Sequence, residues 1–259
     1  MSSHIPKTVL ALLASKTGIA DPQAWTNILS LTSKAEQNRL EWWLDDQGHD
    51  IYTYAKALPY DWHKRGVTVG LCGFTTHDSG KFAGDALDVF DAYHKLGGKD
   101  LKALAKDCAT SSAACNKVCD AIHALKGDDS WILAQWEQLF NTNGNGYLYE
   151  VLKASKAAGF DKPKPLTVAA LYDCAMNQGA TGHDGMLDIL KHVGHQSSEA
   201  AFLKKFLQLR LPIAGKNAFN DPPVNGKNRV QQYLDILEAG DWGLKDQGLL
   251  KKASSWEMK

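Results

Sequence analysis

The sequence predicts an α+β protein that is mainly α, and three observations carry that reading. Apolar residues recur at helical spacing through most of the chain, one short stretch alternates like a strand, and no Pro/Gly/Ser-rich run is long enough to be an interdomain linker. With 259 residues, 44% of them hydrophobic and 8 of them Trp, the chain can bury one large core. We therefore expect one domain over 1–259, in two lobes, with a small β element.

Along the chain, 8–14 (TVLALLA) reads as an amphipathic first helix. Its apolar core is too short for a signal peptide and runs into Ser15-Lys16 rather than a small-residue cleavage site. Leu31, Ala35, Leu40, Trp43 and Leu44 form one helical stripe. The clear exception to helical period is 67–74 (VTVGLCGF), whose alternation and β-branched residues predict a strand, followed by a polar turn at 75–80. Helical stripes resume with Leu87, Phe90 and Leu96, then Ile132, Trp136, Leu139 and Phe140, then Phe202, Phe206 and Leu209, and finally Val230, Tyr233, Leu234 and Leu237. Loops are expected at 141–146, 161–165 and 217–226, and no internal repeat is present.

Charge and composition exclude several classes. Lys+Arg and Asp+Glu both number 29, which argues against a nucleic-acid binder, and no run approaches the length of a membrane span. Five Cys (Cys72, Cys108, Cys115, Cys119, Cys174) are too few for a disulfide scaffold. A bridge from Cys108 to Cys115 or Cys119 stays open, as does a core role for the latter two. The neutral total hides an uneven distribution: between Glu36 and Asp91 ten acids stand against five bases, a local net of −5. Such a segment either forms a solvated helical face or attracts a cationic ligand.

Four ionic residues stand on faces that should be apolar. Ser33-Lys34-Ala35-Glu36 fits a capping box, in which Glu36 bonds back to the Ser33 amide. Yet Glu36, Leu40 and Trp43 at i, i+4 and i+7 place the carboxyl on the inward stripe, and a carboxyl in apolar surroundings holds its proton more tightly, as a general acid must. Asp173 lies in LTVAALYDCAM, Arg210 follows Phe202, Leu203, Phe206 and Leu207, and Arg229 precedes Tyr233 and Leu237. Charges in such places are rarely tolerated unpaired, so Glu36 and Asp173 should meet Arg210 and Arg229 in a neutral quartet. His183, His192 and His195 lack acidic or Cys partners at a usual metal spacing and read as surface histidines.

These segments resemble the family 46 glycoside hydrolases, the chitosanases, and especially their bacillus-type branch. The matching stretches are Lys34-Ala35-Glu36-Gln37 with Leu40 and Trp42; Arg65-Gly66-Val67-Thr68-Val69-Gly70-Leu71 with Thr75-Thr76; Asn177-Gln178-Gly179-Ala180-Thr181-Gly182; Pro222-Pro223-Val224-Asn225-Gly226-Lys227-Asn228-Arg229-Val230; and Trp256-Glu257-Met258-Lys259. The resemblance implies a lysozyme-like fold with two mostly helical lobes around a cleft, and hydrolysis of β-1,4 bonds of chitosan with inversion. It matches Glu36 to the general acid, Thr68 to the residue that holds the attacking water, Asp85 to a carboxylate that binds a glucosamine ammonium, Arg65 to a cleft residue, and Asp173, Arg210 and Arg229 to a buried ionic network behind the acid. It further implies a secreted monomer whose leader is not part of this chain, acting on a cationic polysaccharide without metal or organic cofactor.

The base departs from the pattern. The family places an Asp two residues before the Arg of Arg-Gly-x-Thr, where this chain has His63. Asp61 is the nearest carboxylate and the expected base, with Asp50, Asp46 and His63 itself as the alternatives. Val67 replaces a usual Tyr. A lysozyme-like muramidase and a non-catalytic chitosan-binding relative are the competing readings.

Overall fold

The structure, a computed structural model, describes residues 4–37, 39–45, 48–57, 62–141, 146–214 and 229–252. In chain order the elements are α1 (Lys7–Thr17), α2 (Pro22–Gln37), β1 (Ala55–Ala57), α3 (Trp62–Arg65), β2 (Val67–Val69), β3 (Phe74–Thr75), α4 (Ala86–Lys95), α5 (Leu101–Ala105) with a 3-10 turn (Lys106–Ala109), α6 (Ser112–His123), α7 (Asp129–Leu139), α8 (Tyr147–Ala157), α9 (Pro165–Gln178), α10 (Met186–Lys191), α11 (Glu199–Ala214), α12 (Arg229–Glu238) and α13 (Gln247–Lys252). The mainly helical α+β class with one small sheet is as the sequence predicts. Two compact units emerge, one made of the residues up to Trp42 together with those from Tyr147 onward, the other of Trp43–Gly146.

The first unit is organised around α9. Pro165 pre-sets its first turn, Gly179 follows its end, and every residue from Leu166 to Ala175 is buried. A helix buried all round needs neighbours on every side, and α2, α8, α11 and α12 supply them. Asp173 is carried into the core by this burial. Glu199 ties the start of α11 to α9, accepting from the Lys164 amide at 2.7 Å and the Thr167 hydroxyl at 2.6 Å.

In the second unit β1, β2 and β3 form an antiparallel sheet in that order. The expected single strand 67–74 is instead a hairpin. Gly70 and Gly73 both take positive φ, which closes a turn between β2 and β3 that a continuous strand could not contain. The turn is fastened by Gln135, fully buried on α7, whose Oε1 accepts from the Leu71 amide at 2.8 Å while its Nε2 donates to the Tyr52 carbonyl at 3.2 Å. A Cβ at Gly70 would collide with that Oε1, so glycine is required there twice over. Asp100, Ser111 and Asp128 cap α5, α6 and α7 through their side chains, and Trp131 and Trp136 fill the core beside α4.

Two further expectations are corrected. The stripe from Leu31 to Leu44 is not one helix: α2 ends at Gln37, and the chain turns so that the Leu40 carbonyl accepts from the Ser30 hydroxyl at 2.7 Å. All five cysteines are free thiols, and Cys115 donates to the Cys108 carbonyl at 3.3 Å instead of bridging to it. Of the expected loop at 141–146, residues 142–145 lie outside the described residues, as does the expected loop at 217–226.

Candidate active site

The first unit carries the ionic quartet. Asp173 on α9 accepts from Arg229 Nη2 at 2.6 Å through Oδ1, and from Arg229 Nε at 3.1 Å and Arg210 Nη1 at 2.8 Å through Oδ2. Arg229, at the start of α12, turns its remaining Nη1 to Glu36 Oε1 at 2.6 Å. The side chains of Asp173 and Arg210 are 0% exposed, that of Arg229 is 2% exposed, and that of Glu36 is 42% exposed. Thus four charges sum to zero and only the last reaches solvent, which is the condition under which buried charges persist. Burial pushes the Asp173 carboxyl up, but Arg229 and Arg210 more than offset it and hold the group below the usual carboxylate range. Burial likewise opposes the charge on Arg229, and Asp173 and Glu36 outweigh it, raising the guanidinium above its usual value.

Glu36 differs from its sequence-based setting. Ser33 lies inside α2 rather than at its start, so no capping box exists, and Leu40 and Trp43 are off the helix. Glu36 sits in the last turn of α2, held by a guanidinium and half open to water, rather than against an apolar stripe.

The second unit holds the other candidates. Thr68, half-buried in the middle of β2, pairs with Lys56 of β1 and Thr75 of β3, so its position is fixed from both sides. Asp85 precedes α4, yet its carboxylate does not cap that helix; Oδ1 accepts from the Thr75 amide at 2.6 Å. Arg65 ends α3, its side chain exposed and its carbonyl accepting from the His77 amide at 3.0 Å. The structure brings Arg65 and Asp85 to one cavity of about 460 Å³, lined also by Lys64, Thr75, His77 and Asp78, with Thr68 outside it. His77 is buried, its Nδ1 beside the Thr76 hydroxyl at 3.0 Å, and burial lowers its pKa.

Of the base candidates, Asp61 and Asp46 lie outside the described residues. Asp50 is occupied structurally, accepting from the Tyr52 amide at 3.0 Å, and His63 is exposed on α3. His183 is exposed as expected, but the lack of acidic partners is corrected: Asp184 and Asp188 place ligand atoms within 4.8 Å of it. Asp188 already takes Lys191 Nζ at 3.1 Å and the Asp184 amide at 3.2 Å.

Gln178, in the 177–182 stretch, carries no role legible from sequence. It meets Arg210 Nε at 2.8 Å and so joins the quartet. Five residues beyond Asp173 it lies on another face of α9, so no helical spacing linked the two in sequence.

Comparison with known proteins places the fold. A chitosanase of Niallia circulans is 32% identical over 269 residues, spanning 98% of this chain and 83% of its own. The native chitosanase of Bacillus subtilis MY002 superposes with a TM-score of 0.58 at 24% identity, covering 86% of this chain and 91% of its own. A Gynuella sunshinyii family 46 chitosanase solved with chitotetraose gives 0.58 at 19% identity, covering 86% and 92%. The two superpositions establish the lysozyme-like chitosanase fold, and the model of glycosyl hydrolase family 46 matches residues 30–247. By fold and sequence together, the chain belongs to glycosyl hydrolase family 46.

Proposed function

We propose that this glycoside hydrolase is an endo-chitosanase that cleaves β-1,4 bonds of chitosan with inversion. The observation that carries the reading is Glu36, presented to solvent on Arg229, whose other nitrogens are spent on buried Asp173. Glu36 protonates the leaving oxygen. As its proton departs, negative charge grows on a carboxylate already facing a guanidinium, so Arg229 stabilises the transition state more than the ground state. Asp61 serves as the base, taking a proton from a water held by the Thr68 hydroxyl. Inversion requires about 6.5 to 9.5 Å between the two carboxyls to admit that water. Asp85, oriented by the Thr75 amide, pairs with a glucosamine ammonium, and Arg65 lines the same cavity. The ten acids of the segment from Glu36 to Asp91 favour a cationic chain over an N-acetylated one. A polymeric substrate favours action outside the cell, so we propose a secreted protein.

The test measures reducing ends released from chitosan, chitin and peptidoglycan, with the anomer of the first product followed by NMR. Turnover of chitosan giving the inverted anomer supports the reading. Equal rates on fully acetylated chitin overturn the cationic substrate, and peptidoglycan cleavage alone makes the protein a muramidase. His63 at the position of the family's base favours one second reading, a chitosan-binding relative without activity; binding without turnover would establish it.

A further inference from the structure

We propose that Gln178 is a positioning residue for Glu36, acting through Arg210 and Asp173; the inference rests on Glu36 being the acid. The Gln178 side chain ends α9 and uses both ends of its amide. Oε1 accepts from Arg210 Nε at 2.8 Å and from the Cys174 thiol at 3.4 Å, while Nε2 donates to the Asp184 carbonyl at 3.0 Å. These partners leave one orientation: two donors face the oxygen and one acceptor faces the nitrogen. Burial pushes the Cys174 thiol up to about 11, so it remains a donor at every working pH.

Arg210 needs this contact. Its guanidinium is wholly buried, with Nη1 on Asp173, a long 3.5 Å approach to the Ala170 carbonyl, and an Nη2 that has no hydrogen-bond partner among the described residues. Without Gln178, Nε too would be stranded, and the group would pivot about its single short bond. Asp173 Oδ2 is shared between Arg210 Nη1 and Arg229 Nε, so a pivot of Arg210 turns the Asp173 carboxylate. That turn moves the fork of Arg229, which presents Nη1 to Glu36. Gln178 therefore anchors the inner end of a relay whose outer end is the proposed acid. Through Asp184 it also joins the relay to the loop at 179–185.

The experiment compares Gln178→Met, which keeps the volume and loses all three amide bonds, with Gln178→Glu, which keeps the acceptor for Arg210, loses the donor to Asp184 and adds a negative charge. Activity on chitosan is normalised to folded protein by circular dichroism. Gln178→Met should lower kcat about tenfold, the scale of a misplaced catalytic group, while KM stays within about twofold. Gln178→Glu should lose less, because it keeps the acceptor for Arg210. If Gln178→Met does not fold, Gln178→Asn, one methylene too short to keep the bond to Arg210, decides alone: wild-type kcat in that variant overturns the proposal. Wild-type kcat in folded Gln178→Met overturns it as well, since a structural residue would change only stability. Glu36→Gln runs alongside. If that variant is inactive and Gln178→Met is not impaired, Gln178 alone fails; if Glu36→Gln turns over normally, the acid assignment fails first.

Discussion

Asp173→Asn tests the quartet most directly. The substitution keeps size and shape and removes one charge, leaving Arg210 and Arg229, at 0% and 2% side-chain exposure, with Glu36 alone to answer them. The buried net charge rises from zero to +1, and one oxygen that faced guanidinium donors becomes an NH₂ group. Charge-assisted bonds are each worth about 1.5 to 3 kcal/mol, and losing two of the three to Asp173 gives roughly 3 to 6 kcal/mol. That agrees with the roughly 3 to 5 kcal/mol for breaking a buried pair by removing one partner. For a chain of this size 1 kcal/mol moves Tm by about 2 to 4 °C, so we expect Tm to fall by roughly 10 °C, read by calorimetry with coincident circular dichroism. The pH dependence has a definite sign. A folded pKa held below the unfolded value of 3.8 contributes stability that is fully present above that value and is lost as pH falls through the folded pKa. The gap between wild type and Asp173→Asn should therefore be constant near pH 6 and close below about pH 4. Arg210→Met, which removes only one of the three Asp173 contacts, should cost less, and the double variant should cost less than the sum by at least about 1 kcal/mol. Strict additivity, or a gap that persists unchanged into acid, would refute the argument.

Glu36→Gln should lower turnover of chitosan by at least about two orders of magnitude with binding retained, and should cost less Tm than Asp173→Asn because Arg229 keeps both its bonds to Asp173 and the carboxylate lost is itself 42% exposed. Asp61→Asn should be nearly as damaging as Glu36→Gln, whereas Asp50→Asn, whose carboxylate serves the Tyr52 amide, and Asp46→Asn and His63→Ala should be milder. An inert variant among those three, with more than about a tenth of activity left in Asp61→Asn, would transfer the base role to that residue. Asp85→Asn should raise KM several-fold with kcat little changed, and rates on wild type should decline as chitosan acetylation rises.

Asp173 shows what a sequence can disclose about such a site. Its i−4, i−3 and i+3 neighbours are apolar, so its helix had to bury it, and a buried carboxylate had to find cations. Arg210 and Arg229 could be named by the same reasoning because a charge on an apolar face is visible in one helix alone. The boundary of α2 was not visible. Leu40, Trp43 and Leu44 continue the helical period, but a tertiary bond from Ser30 to the Leu40 carbonyl takes the chain elsewhere. In 67–74 the alternation concealed a turn that Gly70 and Gly73 were marking, and β1, whose three residues are Ala-Lys-Ala, carries no strand signal of its own. Gln178 escaped for a different reason: a neutral amide on a helix end violates nothing, and its importance exists only once Arg210 and Asp184 have been brought to it.

Arg229 lets the proposed acid stand half in water and still be held in place. A Glu in the last turn of a helix ordinarily keeps much of its rotamer freedom, and ordering it costs up to about 2 kcal/mol. Here Arg229 offers one nitrogen outward while its other two are fixed on a wholly buried carboxylate, so the orientation of Glu36 is inherited from the core. The entropy is lost on folding rather than at each catalytic cycle, which is the physical content of preorganisation. It follows that the least exposed side chains, Asp173 and Arg210, should govern the precision of the most exposed one, Glu36. Conservative changes at either should therefore lower kcat in proportion to the disorder they introduce at Glu36, whatever they do to stability.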